Sequence, residues 1–220
     1  MIVVDSSNDN TPRIVKGFKQ VRLIKENPGK GNQIRRGLRE AYKLNTPFIA
    51  LLDDDGEKEA HDLLLMIEHL RKNNADFCVG TREKMRSSWR AFLNRFGRAW
   101  LGFALELKID DPFSGAIVGK AKAFKQLNLT SKEFEIELEF MLEIAKHGFK
   151  IVEYKIRTPK ISKSRLKLHH ALKINNFFDI WCLRNLKILK ISKPKKVVLL
   201  FACAIGLFLG KMLLVLIGFF

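Results

Sequence analysis

Residues 49–60 read IALLDDDGEKEA. An apolar run stops at three consecutive aspartates, Asp53, Asp54 and Asp55, and Glu57 follows two places later. Apolar residues in succession, without polar alternation, suit a strand covered on both faces, as in parallel sheets. Carboxylates at the carboxyl end of such a strand stand where α/β sheets receive their ligands. Two readings of the cluster are open. It holds a hard cation through carboxylate oxygens, or it is a solvated turn capping a helix that starts near Glu59.

Outward from this stretch, MIVVD (1–5), VRLIKE (21–26), ADFCVG (75–80) and KIVEYKI (150–156) join FIALLD (48–53) as short apolar runs that predict strands. GNQIRRGLREAYKL (31–44) and AHDLLLMIEHLRKN (60–73) carry helical spacing between them. The alternation predicts an α/β domain with a mostly parallel sheet. A second acidic cluster, Asp5 with Asp9, follows the first strand. NPGKGN (27–32) offers two glycines for a tight backbone approach, with Lys30 between them.

The chain has 220 residues, 47% of them apolar, enough for one full core and too many for a disordered protein. Its formal charge of +17 points to a polyanionic neighbour: nucleic acid, an anionic membrane surface or a phosphorylated substrate. No nucleic-acid motif is present, and the basic residues gather near an amphipathic segment and the C-terminus, so no nucleic-acid partner is expected. Cys78, Cys182 and Cys203 lie far apart with no metal-binding spacing, which predicts free thiols in a reducing compartment. The five histidines form no recognisable site.

Residues 197–220, VVLLFACAIGLFLGKMLLVLIGFF, carry a single charge, Lys211. A helix of that length, at about 1.5 Å per residue, crosses a ~30 Å hydrocarbon core. KILKISKPKK (187–196) precedes it, and such a basic cluster stays on the cytoplasmic side. A single-pass membrane protein with a cytoplasmic catalytic domain is therefore expected. Met1 leads into IVVD without a charged leader, so no signal peptide is expected. WRAFLNRFGRAWLGF (89–103) places Trp89, Phe92, Leu93, Phe96, Trp100 and Phe103 on one helical stripe of about 100°, with Arg86, Arg90, Arg95 and Arg98 elsewhere. Such a helix either packs its aromatic face on the sheet or lies at a membrane interface.

Taken in order, IVVDSSNDNT (2–11), NPGKGNQIRRG (27–37), FIALLDDDGE (48–57), DFCVGTR (76–82), DDPFSGAIV (110–118) and FEIELEFMLEIAKHGFKIVEYKI (134–156) resemble the family 2 inverting glycosyltransferases. The nearest subgroup is the dolichyl-phosphate mannose synthases and related polyprenyl-phosphate glycosyltransferases, over roughly residues 1–170. The resemblance implies a GT-A-type nucleotide-sugar-binding domain (1–170), a basic amphipathic juxtamembrane segment (171–196) and a transmembrane helix (197–220). It also implies a strand ahead of the first one here. That strand is expected from a different start, from a second chain in an oligomer, or not at all in a degenerate relative.

The residue roles follow from the same resemblance. Asp53 and Asp55 match the family's D-x-D motif, which holds Mg²⁺ or Mn²⁺ against the donor diphosphate, with Glu57 where the subgroup has glutamine and Asp54 between them. Asp5, or second Asp9, matches the aspartate that meets the nucleoside. Lys30 is expected at phosphate or ribose, and Arg82 and Arg95 at the acceptor phosphate, with Arg90 and Arg98 as substitutes. Ser164 and Arg165 in KSRLK (163–167) match a basic loop that closes on the diphosphate. Asp111, Ser114 and Gly115 resemble the D-x-x-S-G segment, and EIELE (135–139) the acidic start of a helix beneath the acceptor, with Glu135 and Glu137 near acceptor or sugar. The implied partners are a nucleotide sugar donor, a polyprenyl or dolichyl phosphate acceptor, and the lipid membrane. Two other readings are a glycosyltransferase with another acceptor and a membrane-tethered scaffold that kept the fold without activity.

Overall fold

The computed structural model describes residues 1–53, 56, 58–83, 88–158, 168–189 and 191–216, with side chains described except at 88–93, 168 and 214–216. Strand β1 (Ile2–Asp5) pairs in parallel with β2 (Arg22–Lys25), with Val3 opposite Leu23. The link between them contains α1 (Thr11–Lys16), a short helix the sequence reading did not foresee, with proline in its first turn. Asp9 Oδ1 accepts the Thr11 backbone N–H at 2.8 Å just ahead of it. Helix α2 (Lys30–Ala41) packs on β1, where Gly37 faces Val4, and its last turn tightens into a 3-10 helix at Tyr42–Leu44.

The remaining strands are β3 (Phe48–Leu52), β4 (Phe77–Arg82), β5 (Ala116–Lys120) and β6 (Ile151–Ile156), in the spatial order β3-β5-β4-β6. Between them come α3 (Ala60–Lys72), α4 (Ser88–Leu105), the single turn α5 (Ala121–Phe124) and α6 (Glu135–His147). Strand β4 runs parallel to β6, whereas β5 is antiparallel to both β3 and β4. Within this sheet β3, β4 and β6 thus share one direction and β5 opposes them, a strand the sequence reading had only as part of a motif. They form two sheets rather than one: among the described residues no ladder joins β1 to β3.

Alternation of side chains sorts the four-stranded sheet into two cores. Phe77, Val79 and Ile117 face a large core with Ile136, Phe140 and Ile144 of α6, while Cys78, Ala116 and Val118 face Met66 and Leu70 of α3. Residues 134–147 fit both strand and helix periods, and the structure has the helix from Glu135: its buried Ile136, Phe140 and Ile144 recur every four residues. Helices α7 (Leu168–Asn185) and α8 (Lys193–Leu216) pack together. Phe178, Trp181 and Cys182 of α7 enter the large core, as do Leu199 and Cys203 of α8. In the amphipathic helix α4, Leu101 and Ala104 are buried, Trp100 lies 5.9 Å from Phe178 between ring centroids, and Phe96 is exposed. Of the expected stripe, Trp100 thus packs on α7 and Phe96 is open to solvent, while the side chains of Trp89, Phe92 and Leu93 lie outside the described ones. All three cysteines are buried and free, as expected.

Phe77 is fully buried and meets Phe124 edge-on at 5.0 Å. Phe77→Ala is expected to cost about 3–5 kcal/mol in a denaturant titration of the purified protein. Leu64→Ala, on the exposed side of α3, is expected to change stability by less than about 0.5 kcal/mol.

Candidate active site

The site begins with backbone constraints. Gly29 has φ +117, and a Cβ there would stand 2.5 Å from the Lys132 carbonyl oxygen; one on Gly31 would collide with the Ser131 carbonyl. Asn32 N–H donates to the Lys132 carbonyl at 3.0 Å. The tight approach expected of NPGKGN is therefore made to the protein's own backbone. The 130–131 segment is itself fastened by the buried Glu139 carboxylate, which accepts the N–H groups of Thr130 and Ser131 at 2.9 Å. Seating α2 on this segment brings Lys30 to the first turn of α6, and Gln33 Nε2 donates to Ser6 Oγ at 2.9 Å just beyond β1.

Lys30 Nζ donates to Asp53 Oδ2 at 2.7 Å and to Glu137 Oε1 at 2.5 Å. Lys58 Nζ lies 3.9 Å from the same Asp53 oxygen. Burial alone would lower the Lys30 pKa, but Glu137 and Asp53 together raise it, so the ammonium stays charged. Burial pushes the Glu137 carboxyl up, Asp53 adds to that, and Lys30 opposes both. Asp53 is tied to the D-x-x-S-G segment by its own N–H, which donates to the Gly115 carbonyl at 3.0 Å. A side chain on Gly115, at φ +69, would occupy the space of the Asp53 carboxylate.

Arg82, at the carboxyl end of β4, is buried and paired in a two-pronged contact with the fully buried Asp111: Nε donates to Oδ2 at 2.7 Å and Nη2 to Oδ1 at 2.9 Å. Burial would lower the Arg82 pKa, but the Asp111 bond raises it, and Asp53 and Glu137 add to its cationic preference. Its Nη2 also donates to the Phe113 carbonyl at 3.0 Å, so Arg82 fixes the 111–113 loop beside Asp53.

The structure brings Lys30, Asp53 and Arg82 into one electrostatic neighbourhood and adds Glu137, Lys58 and Asp111 to it. Asp5, at the end of β1, accepts from Lys25 Nζ at 2.9 Å and from the Ser7 N–H at 3.0 Å. Burial would raise its pKa, but the Lys25 bond and the Ser7 N–H lower it overall. Asp9 organises the turn ahead of α1, accepting from Ser7 Oγ at 2.8 Å as well as from Thr11. Arg95 is exposed on α4, and Arg98 pairs with Asp110 at 2.9 Å. Asp54, Asp55, Glu57, Ser164 and Arg165 lie outside the described residues, as does the Arg90 side chain. Among the described residues no three His, Cys, Asp or Glu side chains converge as a metal site. The donor chemistry nevertheless suits a hard divalent cation: Asp53 is a partly exposed carboxylate, and its chain neighbours Asp55 and Glu57 are carboxylates too.

The topology is that of a GT-A-like α/β fold. Glucosyl-3-phosphoglycerate synthase of Mycobacterium tuberculosis, in a crystal structure with Mn²⁺, UDP-glucose and phosphoglyceric acid, superposes with a TM-score of 0.63 at 13% identity, over 82% of this chain and 68% of that one. Residues 1–126 match the family described as Glycosyl transferase family 2, and the chain belongs to that family. Among its relatives, glycosyltransferase AglJ of Haloferax volcanii is 29% identical over 156 residues, 68% of this chain and 50% of AglJ. The chain thus spans about half the length of that relative. The UDP-N-acetylglucosamine–dolichyl-phosphate N-acetylglucosaminyltransferase of Methanococcus voltae is 26% identical over 184 residues, 72% of this chain and 73% of the relative.

Asp111→Ala strands the buried Arg82 guanidinium and is expected to cost about 3–5 kcal/mol by thermal or denaturant unfolding. Asp110→Ala removes only the exposed pair with Arg98 and is expected to cost less than about 1 kcal/mol.

Proposed function

We propose that this chain transfers a hexose from a nucleotide sugar of the GDP-mannose or UDP-glucose type to a polyprenyl or dolichyl phosphate, with inversion, at the cytoplasmic face of a membrane. The observation that carries the reading is Asp53: in a family 2 chain, at the carboxyl end of β3, its carboxylate meets Lys30 and Lys58 and lies close enough to Arg82 to strengthen that cation. This cluster of opposite charges suits a nucleotide diphosphate. Asp53, Asp55 and Glu57 would hold Mg²⁺ or Mn²⁺, which when bound neutralises charge on the departing nucleotide diphosphate. A crystal structure with Mn²⁺ and UDP-glucose among the solved proteins of this fold supports a divalent cation.

The chain's own residues do the rest by placement. Asp5 and Asp9 take the nucleoside end of the donor. The nucleophile is the acceptor's phosphate oxygen, already ionised, so no strong general base is needed and orientation with charge stabilisation supplies the catalysis. Arg95, with Arg90 and Arg98 as substitutes, would meet that phosphate; Arg82, also expected there, has its guanidinium bonded to Asp111 and the Phe113 carbonyl and holds the 111–113 loop instead. Ser164 and Arg165 would contact the diphosphate.

Helix α8 supports the membrane part of the reading. Within Lys193–Leu213, an 18-residue stretch has a mean hydropathy of 2.0, and 17% of it is buried. Phe201, Ile205, Phe208 and Leu209 are exposed along it, and Lys193, Lys195 and Lys196 stand in its first turn, as suits the cytoplasmic end of a span. The Methanococcus voltae relative, whose name includes dolichyl phosphate, supports a polyprenyl-type acceptor.

The test is transfer of radiolabelled sugar from a panel of GDP- and UDP-sugars to dolichyl phosphate by membranes expressing the chain. Activity is expected with Mn²⁺ or Mg²⁺, to vanish with chelator, and to fall by about a hundredfold or more in Asp53→Asn. Equal activity in chelator overturns the metal assignment. No transfer from any donor, with the protein folded and membrane-bound, favours the scaffold reading. Resistance to carbonate extraction is expected and should be lost when residues 197–220 are deleted.

A further inference from the structure

Lys30 stands between two carboxylates, Asp53 and Glu137. Its ammonium is bonded to Asp53 Oδ2 at 2.7 Å and to Glu137 Oε1 at 2.5 Å, and the three side chains are 17%, 30% and 13% exposed. An ammonium bonded to both carboxylates at once offsets the repulsion between them. Asp53 Oδ2 is also the oxygen nearest Lys58, at 3.9 Å, so the protein surrounds one carboxylate oxygen with its own positive charge. A divalent cation arriving at Asp53 meets an ammonium already there, and like charges at that separation repel strongly in a partly dry site.

Glu137 makes this more than a structural ion pair. It offers the ammonium a second partner on α6, so Lys30 can leave Asp53 without becoming an unpaired buried charge. Lysine suits the task because its compact charge rides a flexible stem that can pivot between acceptors, which a guanidinium held in a planar fork does less readily. The stem is anchored at the start of α2 by the packing of Gly29 and Gly31 on the 131–132 backbone, so the pivot is confined to the side chain.

We propose that Lys30 is an internal counter-cation that competes with the divalent metal for Asp53. Without donor it neutralises Asp53; with the metal and nucleotide in place it gives up Asp53, keeps Glu137, and turns a freed N–H toward the diphosphate. The protein is thereby biased against holding the metal alone and toward taking it up together with the nucleotide. This inference rests on the reading of Asp53 as a metal ligand given under Proposed function.

The experiment titrates Mn²⁺ alone into the purified full-length chain in detergent, without nucleotide, and follows the free-ion electron paramagnetic resonance signal. Lys30→Met is expected to bind Mn²⁺ about tenfold more tightly than the parent, and Glu137→Gln several-fold more weakly, because the ammonium is then left to Asp53 alone. With Mn²⁺ saturating, Lys30→Met is expected to bind UDP or GDP more weakly than the parent. The weaker binding of UDP or GDP by Lys30→Met, set against its tighter Mn²⁺ binding, is what a lysine that merely ties α2 to α6 does not produce. Unchanged or weaker Mn²⁺ binding in a Lys30→Met protein that melts like the parent overturns the proposal. If that variant does not fold, unchanged or tighter Mn²⁺ binding in Glu137→Gln overturns it instead. A parent that takes up no Mn²⁺ even with UDP or GDP present sinks the metal reading itself, and that control tells the two failures apart.

Discussion

The Ser131 carbonyl lies so close to Gly31 that no side chain fits between them, and the Lys132 carbonyl stands 2.5 Å from where a Cβ of Gly29 would be. This backbone-to-backbone approach joins the β1-β2 layer, through α2, to the segment leading into α6. Glu139 holds the far side of the contact by accepting the backbone N–H groups of Thr130 and Ser131. Given that seam, Lys30 has one place to go, the gap between Asp53 and Glu137. Three elements distant in sequence thus converge on one charge cluster, because two glycines let two backbones touch.

The buried polar groups divide into two kinds. Arg82 with Asp111 is a sealed pair with several hydrogen bonds, which sets the position of the loop from 111 to 115 and through it the surroundings of Asp53. Lys30 with Asp53 and Glu137, and Lys58 3.9 Å from the same Asp53 oxygen, is a shared set of charges left partly open to solvent. A sealed pair fixes geometry; an ammonium shared between two partly exposed carboxylates can change partners. The adjacency of the two, with Gly115 giving the Asp53 carboxylate room, explains how a rigid loop and a responsive charge cluster coexist at one sheet end.

Much of the fold was legible in the residues. The runs at 48–53 and 150–156, and the helical spacing of 60–73, fall within a residue or so of β3, β6 and α3, because buried apolar periodicity is a local signal. Strand β5 was not legible: AIVGK is short, and its antiparallel place between β3 and β4 depends on pairing with residues far away in sequence. The split into two sheets was equally hidden, since ladder formation is a tertiary event. Asp53, Lys30 and Arg82 were all named as site residues from motifs. Glu137 was seen only as a neighbour of acceptor or sugar, since nothing near it in sequence shows that Lys30 will reach it across 107 positions.

By itself the sequence determined the α/β class, the family 2 membership visible in its ordered motifs, and an apolar C-terminal helix, because periodicity, motif spacing and hydropathy are properties of short stretches. Only the tertiary structure decided that the glycines of NPGKGN serve a contact within the protein, that Arg82 is committed to Asp111, and that Lys30 bridges Asp53 and Glu137. Those are matters of which charges end up within hydrogen-bond reach after burial, and Coulomb energy in a partly dry site depends on distance in space rather than on separation along the chain.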